Sequence, residues 1–229
     1  MFGHCAEVRG SEGKWLRVRG AEGYEGWVHE GYTEVAEGAD CDRWGWDPEN
    51  TLSLGCSVRD SRGTTMNFPL GAILRGVQLL SGASIGPRER MSELPAEADA
   101  IVASASKLFA GTYYQWGGVT PWGADCSGLV QTVHALHGVK LLRDAWQQAT
   151  QGVHVEGGVS AIEPADLLFF SDTPDSRINH VAMAVSRTEL VHLALGRGGY
   201  HRESLDQPDE YVTALMSRFR FARKMMTQR

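Results

Sequence analysis

The stretch WGADCSGLVQTV (residues 122–133) changes character at its single cysteine, with glycine-rich text before Cys126 and helical periodicity after it. Leu129, Val130, Val133 and Leu136 fall on one helical face, and Gly138 stands where a helix-ending glycine belongs. Cys126 is therefore expected at a helix N-terminus. The free N–H groups and partial positive charge there lower a thiol's pKa and can stabilise an oxyanion. A cysteine at a helix start is more often a small buried hydrophobe, so chemistry at Cys126 requires a base from elsewhere in the chain.

Two of the eight histidines lie downstream in strand-like text: His180 opens HVAMAVS (180–186) and His192 sits inside ELVHLAL (189–195). They are 12 residues apart. An antiparallel hairpin with an odd loop puts both on one face, and a loop centred on Ser186 makes them a directly opposed cross-strand pair. One imidazole then takes the thiol proton while the other orients it, as nucleophilic catalysis requires. A two-residue loop would place them on opposite faces. Upstream, apolar residues at 101, 102, 105, 108 and 109 make a helical stripe that Gly111 stops.

The first 92 residues read differently. KWLRVRG (14–20), GYEGWVHEGYTEV (23–35), TLSLGCSVRD (51–60) and TTMNFPLGAILRGVQLL (64–80) are short strand-like runs separated by turn glycines. Small all-β barrels are expected, in two copies, with boundaries at 1–45 and 46–92 and a helix-containing domain over 93–229. The first copy starts close to a strand, without text for a full first strand. Trp15, Trp27, Trp44 and Trp46 are expected to fill barrel cores, an exposed aromatic patch being the other reading.

Composition bounds the function. At 229 residues and 42% hydrophobic content the chain can build real cores, and a net charge of −6 without long like-charge runs excludes a basic nucleic-acid or membrane-binding face. No stretch reaches 18 apolar residues, and the opening MFGHCAEVRGSEGK lacks an apolar segment after basic residues. A cytoplasmic location is the expectation, or a secreted or periplasmic one if a segment precedes Met1. Cys5, Cys41, Cys56 and Cys126 contain no C-x-x-C pair, so free thiols are expected and no zinc site. His134 and His137 share a helix with Cys126 and are expected to be ordinary surface or half-buried residues. No metal and no cofactor are expected, and the sequence gives no oligomeric state.

GTYYQWGG (111–118), ADCSGLV (124–130), DLLFFS (166–171), NHVAMAVS (179–186) and LVHLAL (190–195), in this order and spacing, resemble the NlpC/P60 cysteine peptidases over about residues 97–200. LRDAWQQA (142–149) resembles the segment that follows the nucleophile helix there, and KWLRVRG with GYEGWV resembles bacterial SH3-type (SH3b) domains. The resemblance implies an α+β, papain-like domain, with a nucleophile-bearing helix packed on an antiparallel sheet, preceded by SH3-like barrels. It makes Cys126 the nucleophile, His180 the general base and acid, and His192 the orienting residue. Tyr114 matches a tyrosine near the developing oxyanion. Asp125 matches an acidic contact to the free amine of N-terminal L-Ala, and the residues alone make it a helix N-cap; both roles are compatible. Trp116 either touches substrate or packs with Tyr114. Ser127 is expected to shape the helix start, Arg143, Asp144 and Gln148 to line the cleft or to lie on a solvated helix start, and Tyr32 to wall the amine pocket. The implied activity is hydrolysis of the γ-D-glutamyl-L-diamino acid bond in short murein peptides, for recycling. An amidase or acyltransferase on another acyl substrate, and a non-catalytic peptidoglycan-binding protein, are the alternatives.

Overall fold

From Ala6 to His29 the chain runs three antiparallel strands, β1 (Ala6–Glu12), β2 (Trp15–Gly20) and β3 (Glu25–His29), in the order β1-β2-β3. A second antiparallel sheet follows, β4 (Leu52–Arg59), β5 (Thr65–Phe68) and β6 (Gln78–Ile85), ordered β5-β4-β6, and then the short helix α1 (Pro87–Glu93). The computed structural model describes residues 1–36, 45–47, 49–175 and 177–225. The chain divides into two compact units, Met1–Ser92 and Glu93–Arg229.

In the first unit the expected barrels do not form. Among the described residues each three-stranded sheet ends in two edge strands that do not pair with each other, so neither is a closed barrel. A strand, β1, also occupies residues that gave no strand signal in the sequence. Core formation is confined to the second sheet, where Cys56, Val58, Phe68 and Ala72 cluster with Met66, Leu74 and Val77. Phe2 stacks on Phe68 with ring centroids 4.5 Å apart, and Ile73 N–H donates to the Phe2 carbonyl at 3.0 Å. The four tryptophans divide accordingly. Trp46 is buried, over Gly71, whose φ of +87° and lack of a Cβ let the indole lie against the backbone. Trp15 and Trp27 are each 52% exposed, against the core placement expected, because an open sheet with no buried residue on any of its strands has no interior to fill. Trp44 and Cys41 lie outside the described residues. Cys56 and Cys126 are free thiols.

The second unit is α+β. It begins with α2 (Ala98–Phe109), which buries Ile101, Ala105 and Phe109 and ends before Gly111 at φ +80°. A two-strand ribbon, β7 (Val119–Thr120) and β8 (Gly123–Ala124), delivers the chain to α3 (Cys126–Leu136), followed by α4 (Ala145–Gln148). Six antiparallel strands make the sheet: β9 (Val153–His154), β10 (Leu167–Phe170), β11 (His180–Ala184), β12 (Glu189–Ala194), β13 (Gly199–Ser204) and β14 (Phe219–Lys224), with α5 (Glu210–Ser217) before the last. Their order is β13-β12-β11-β10-β14-β9. The central strands LLFF, HVAMA and ELVHLA are buried on both faces. Alternation sends Leu168, Phe170, Ala182, Ala184 and Leu190 into one cluster with Leu215 of α5 and Ala222 of β14. Helix α3 packs on β11 and β12, which sets the start of the helix beside the strand that opens with His180.

Candidate active site

Asp125 begins the site. With extended backbone (φ −100°, ψ 179°), it caps α3 by accepting the Gly128 N–H at 2.7 Å, so that Cys126 is the first helical residue. Its carboxylate also accepts from Gly117 N–H (2.8 Å), Ser127 Oγ (3.2 Å) and both ends of the Arg143 guanidinium (3.0 and 2.8 Å). Five donors fill the roughly four lone-pair sites of a carboxylate. Asp125 is therefore a cap and the partner of a buried arginine. Ser127 and Arg143 belong to the same buried network, joined at 2.9 Å. Gln148 is fully buried and ties α4 to the start of α3 by donating to the Ser127 and Leu142 carbonyls. Arg143 and Gln148 thus brace the start of the nucleophile's helix, and neither sits on a solvated surface. Asp144 heads α4, its N–H donating to Gln147 Oε1 and its carboxylate accepting the Trp146 indole N–H.

Cys126 is buried, with its sulfur in reach of the backbone N–H groups of Val181 and Ser127. Val181 follows His180, so the thiol lies at the first peptide of β11. Burial is the largest influence and pushes the thiol up to about 11, outweighing the two N–H groups and Arg143. The lowering expected from a helix N-terminus is reversed, because desolvation of a thiolate costs more than the amides return. His180 is held well below 6.5, first by burial and then by His192 and Arg218. Both partners rest neutral, as thiol and imidazole.

The histidines meet as a diagonal pair. Met183–Val191 and Ala184–Leu190 are opposed, which centres the loop on Arg187, one residue beyond the expected Ser186. The loop remains odd, so His180 and His192 share a face, but they are displaced by two residues along the strands instead of directly opposed. The side chains span the diagonal, with His180 Nε2 at 2.9 Å from His192 Nδ1. The second nitrogen of His192 continues the file to β13, where Nε2 lies 3.3 Å from Glu203 Oε1. Glu203 is held by Arg197 through Nε at 2.7 Å and a terminal nitrogen at 2.9 Å, and Arg197 also binds Asp209 at 2.6 Å. The sequence reading missed Glu203 and Arg197; the available signal was a carboxylate in strand-like text 11 residues past His192.

Tyr114 is half-buried and coupled to Cys126 and Asp125. Burial first, and then Cys126 and the Asp125 carboxylate, raise its hydroxyl to about 12, which keeps it a donor at neutral pH. Trp116 is 87% exposed, so it is not a core residue. Tyr32 belongs to the Met1–Ser92 unit, where its ring stands 6.2 Å from His29. His134 and His137, expected to be surface or half-buried, are both buried: His134 Nδ1 pairs with the Val130 carbonyl, and His137 pairs with the Pro95 carbonyl and Ser104 Oγ. Helix α3 is enclosed on nearly every side, which leaves no surface for them. Among the described residues no group of three or more His, Cys, Asp or Glu side chains could hold a metal ion.

The profile of the NlpC/P60 family matches residues 111–216, the span that contains Tyr114, Cys126, His180 and His192. A probable endopeptidase of Haemophilus influenzae is 35% identical over 115 residues, covering 50% of this chain and 70% of the relative. The chain belongs to the NlpC/P60 family. Another relative, the γ-D-glutamyl-L-lysine dipeptidyl-peptidase of Bacillus cereus, is 31% identical over 102 residues, 44% of this chain. The chain spans only 30% of that relative's length. The crystal structure of an NlpC/P60 family protein from Bacillus cereus shares the fold, with a TM-score of 0.74 at 20% identity over 97% of this chain and 79% of the other.

Proposed function

We propose that this NlpC/P60 protein is a cysteine peptidase that hydrolyses the γ-D-glutamyl-L-diamino acid bond of short murein peptides. The observation that carries the chemistry is the thiol of Cys126, at a helix start and against the His180–Val181 peptide, with His180 hydrogen-bonded to a second histidine. The relative named for γ-D-glutamyl-L-lysine supports the choice of bond.

The thiol and imidazole rest neutral, so proton transfer accompanies attack. As sulfur bonds to the γ-carbonyl carbon, the thiol proton moves to His180 Nδ1, the nitrogen that His192 leaves free. Negative charge develops on the carbonyl oxygen, where the backbone N–H of Cys126, first residue of α3, and the Tyr114 hydroxyl are the donors. The C–N bond then breaks, and the His180 imidazolium protonates the departing amine. Water attacks the thioester, gives its proton to His180, and the thiol is restored as the L-Ala-D-Glu product leaves.

The test is mass spectrometry of L-Ala-γ-D-Glu-meso-diaminopimelate and its N-acetylated form after incubation with wild type and Cys126→Ala. Release of L-Ala-D-Glu by wild type, with the variant lower by about 10³-fold or more, is the expected result. Turnover of the free-amine peptide alone is expected if the protein serves recycling, whereas equal turnover of both forms removes that part of the proposal. No cleavage of either peptide by wild type rejects the substrate assignment.

A further inference from the structure

The file of hydrogen bonds continues past the two histidines, and its far end is charged. Glu203 is only 5% exposed. Its Oε2 accepts from Arg197, and its Oε1 accepts from Arg197 and faces His192 Nε2. A carboxylate has no proton to give, so the 3.3 Å contact is a hydrogen bond only when His192 Nε2 carries the hydrogen. In neutral His192 that makes Nδ1 the acceptor. The 2.9 Å contact to His180 Nε2 then requires the hydrogen to sit on His180, which leaves His180 Nδ1 bare.

Arg197 holds the Glu203 carboxylate through both oxygens, and Oε1 still reaches His192 Nε2. Arg197 is in turn fixed by Asp209, the N-cap of α5, and by the Tyr211 ring 4.3 Å beneath its guanidinium.

We propose that Glu203, anchored by Arg197, is a positioning residue that selects the tautomer of His192 and through it presents the unprotonated Nδ1 of His180 to the Cys126 thiol. The inference rests on the thiol mechanism proposed above, but it concerns the general base and not the peptide cleaved. Glu203 touches neither substrate nor sulfur, and no bond to it forms or breaks. The geometry is a second diagonal step across the sheet. His192 opposes His201, so Glu203, two residues on, lies on the same face as His192.

The experiment is long-range ¹H–¹⁵N NMR of the imidazoles in the full reduced chain, alongside iodoacetamide alkylation of Cys126 and steady-state kinetics. In wild type both His180 and His192 are expected as Nε2–H tautomers. In Glu203→Gln, Arg197 competes for the one remaining oxygen, so mixed tautomers are expected at both histidines. Alkylation and kcat are then expected to fall together by about 10- to 100-fold with KM little changed, and Glu203→Asp is expected to recover part of the loss. A wild-type His180 carrying its hydrogen on Nδ1 overturns the proposal without any variant. So does a folded Glu203→Gln protein with unchanged tautomers and unchanged alkylation. Wild-type tautomers as expected, in a protein that leaves murein peptides intact, reject the substrate assignment and uphold the relay.

Discussion

At the scale of single residues, the site is surrounded by groups whose burial fixes their charge. His134 is fully buried one helical face away from Cys126, and burial, the largest influence, lowers it from 6.5 to about 4 despite the Val130 carbonyl. In the unfolded chain it titrates normally. Between pH 6.5 and 4 the unfolded state therefore binds the proton that the folded state refuses, so stability falls as pH falls through this window. The contribution is about 3 kcal/mol by pH 4, from roughly 2.5 pKa units at 1.36 kcal/mol each. Urea titrations at pH 7 and pH 4.5 are expected to show a smaller loss for His134→Leu than for wild type, and an equal loss in the two would remove His134 as the cause. Nothing in the sequence marked this histidine as buried, because a histidine on a polar-looking stretch of helix is read as surface until the layers on each side of the helix are known.

Among elements, α3 is the one the sequence disclosed most completely. Its cap, its first residue, its apolar stripe and its terminating glycine are all local features, and Asp125, Cys126, Leu136 and Gly138 stand where periodicity and capping chemistry put them. What holds the helix start in place is not local. Gly128 faces the Gly118 carbonyl so closely that a Cβ would overlap it, and Gly118 in turn lies on the backbone of Gly123 and Ala124. Gly128→Ala is therefore expected to push the first turn of α3 off the β7–β8 ribbon, with a loss of about 1–3 kcal/mol in stability from overpacking and a larger fractional loss of thiol reactivity. Chemical denaturation and alkylation rates would check both, and a variant that alkylates like wild type contradicts the close approach. The β11–β12 hairpin was legible only in part. Spacing gave the shared face of His180 and His192, since parity survives any odd loop, but the loop centre is a turn property that shifted the pair by two residues. Glu203 escaped because its role depends on two successive registers, and each must be known before the diagonal appears.

For the molecule as a whole, the two units differ in how their strands are sustained. The Glu93–Arg229 unit has central strands buried on both faces, whereas β1–β3 carry side chains that are exposed or half-buried throughout. Amino-acid pattern alone suggested closed barrels because alternation and turn glycines are common to open and closed sheets; closure depends on whether the edge strands find each other. Opening a strand without buried partners exposes little new apolar surface, so its backbone hydrogen bonds are broken by small fluctuations and not by global unfolding. Deuterium uptake followed by mass spectrometry is expected to saturate over residues 6–29 at times when β10, β11 and β12 remain protected. Comparable protection of the two sets would show that the first sheet is held by more than its own ladder. Trp15 on β2 and Trp27 on β3 are diagonal neighbours only while those strands are zipped, so the exposed pair they make is a matter of occupancy as much as of shape.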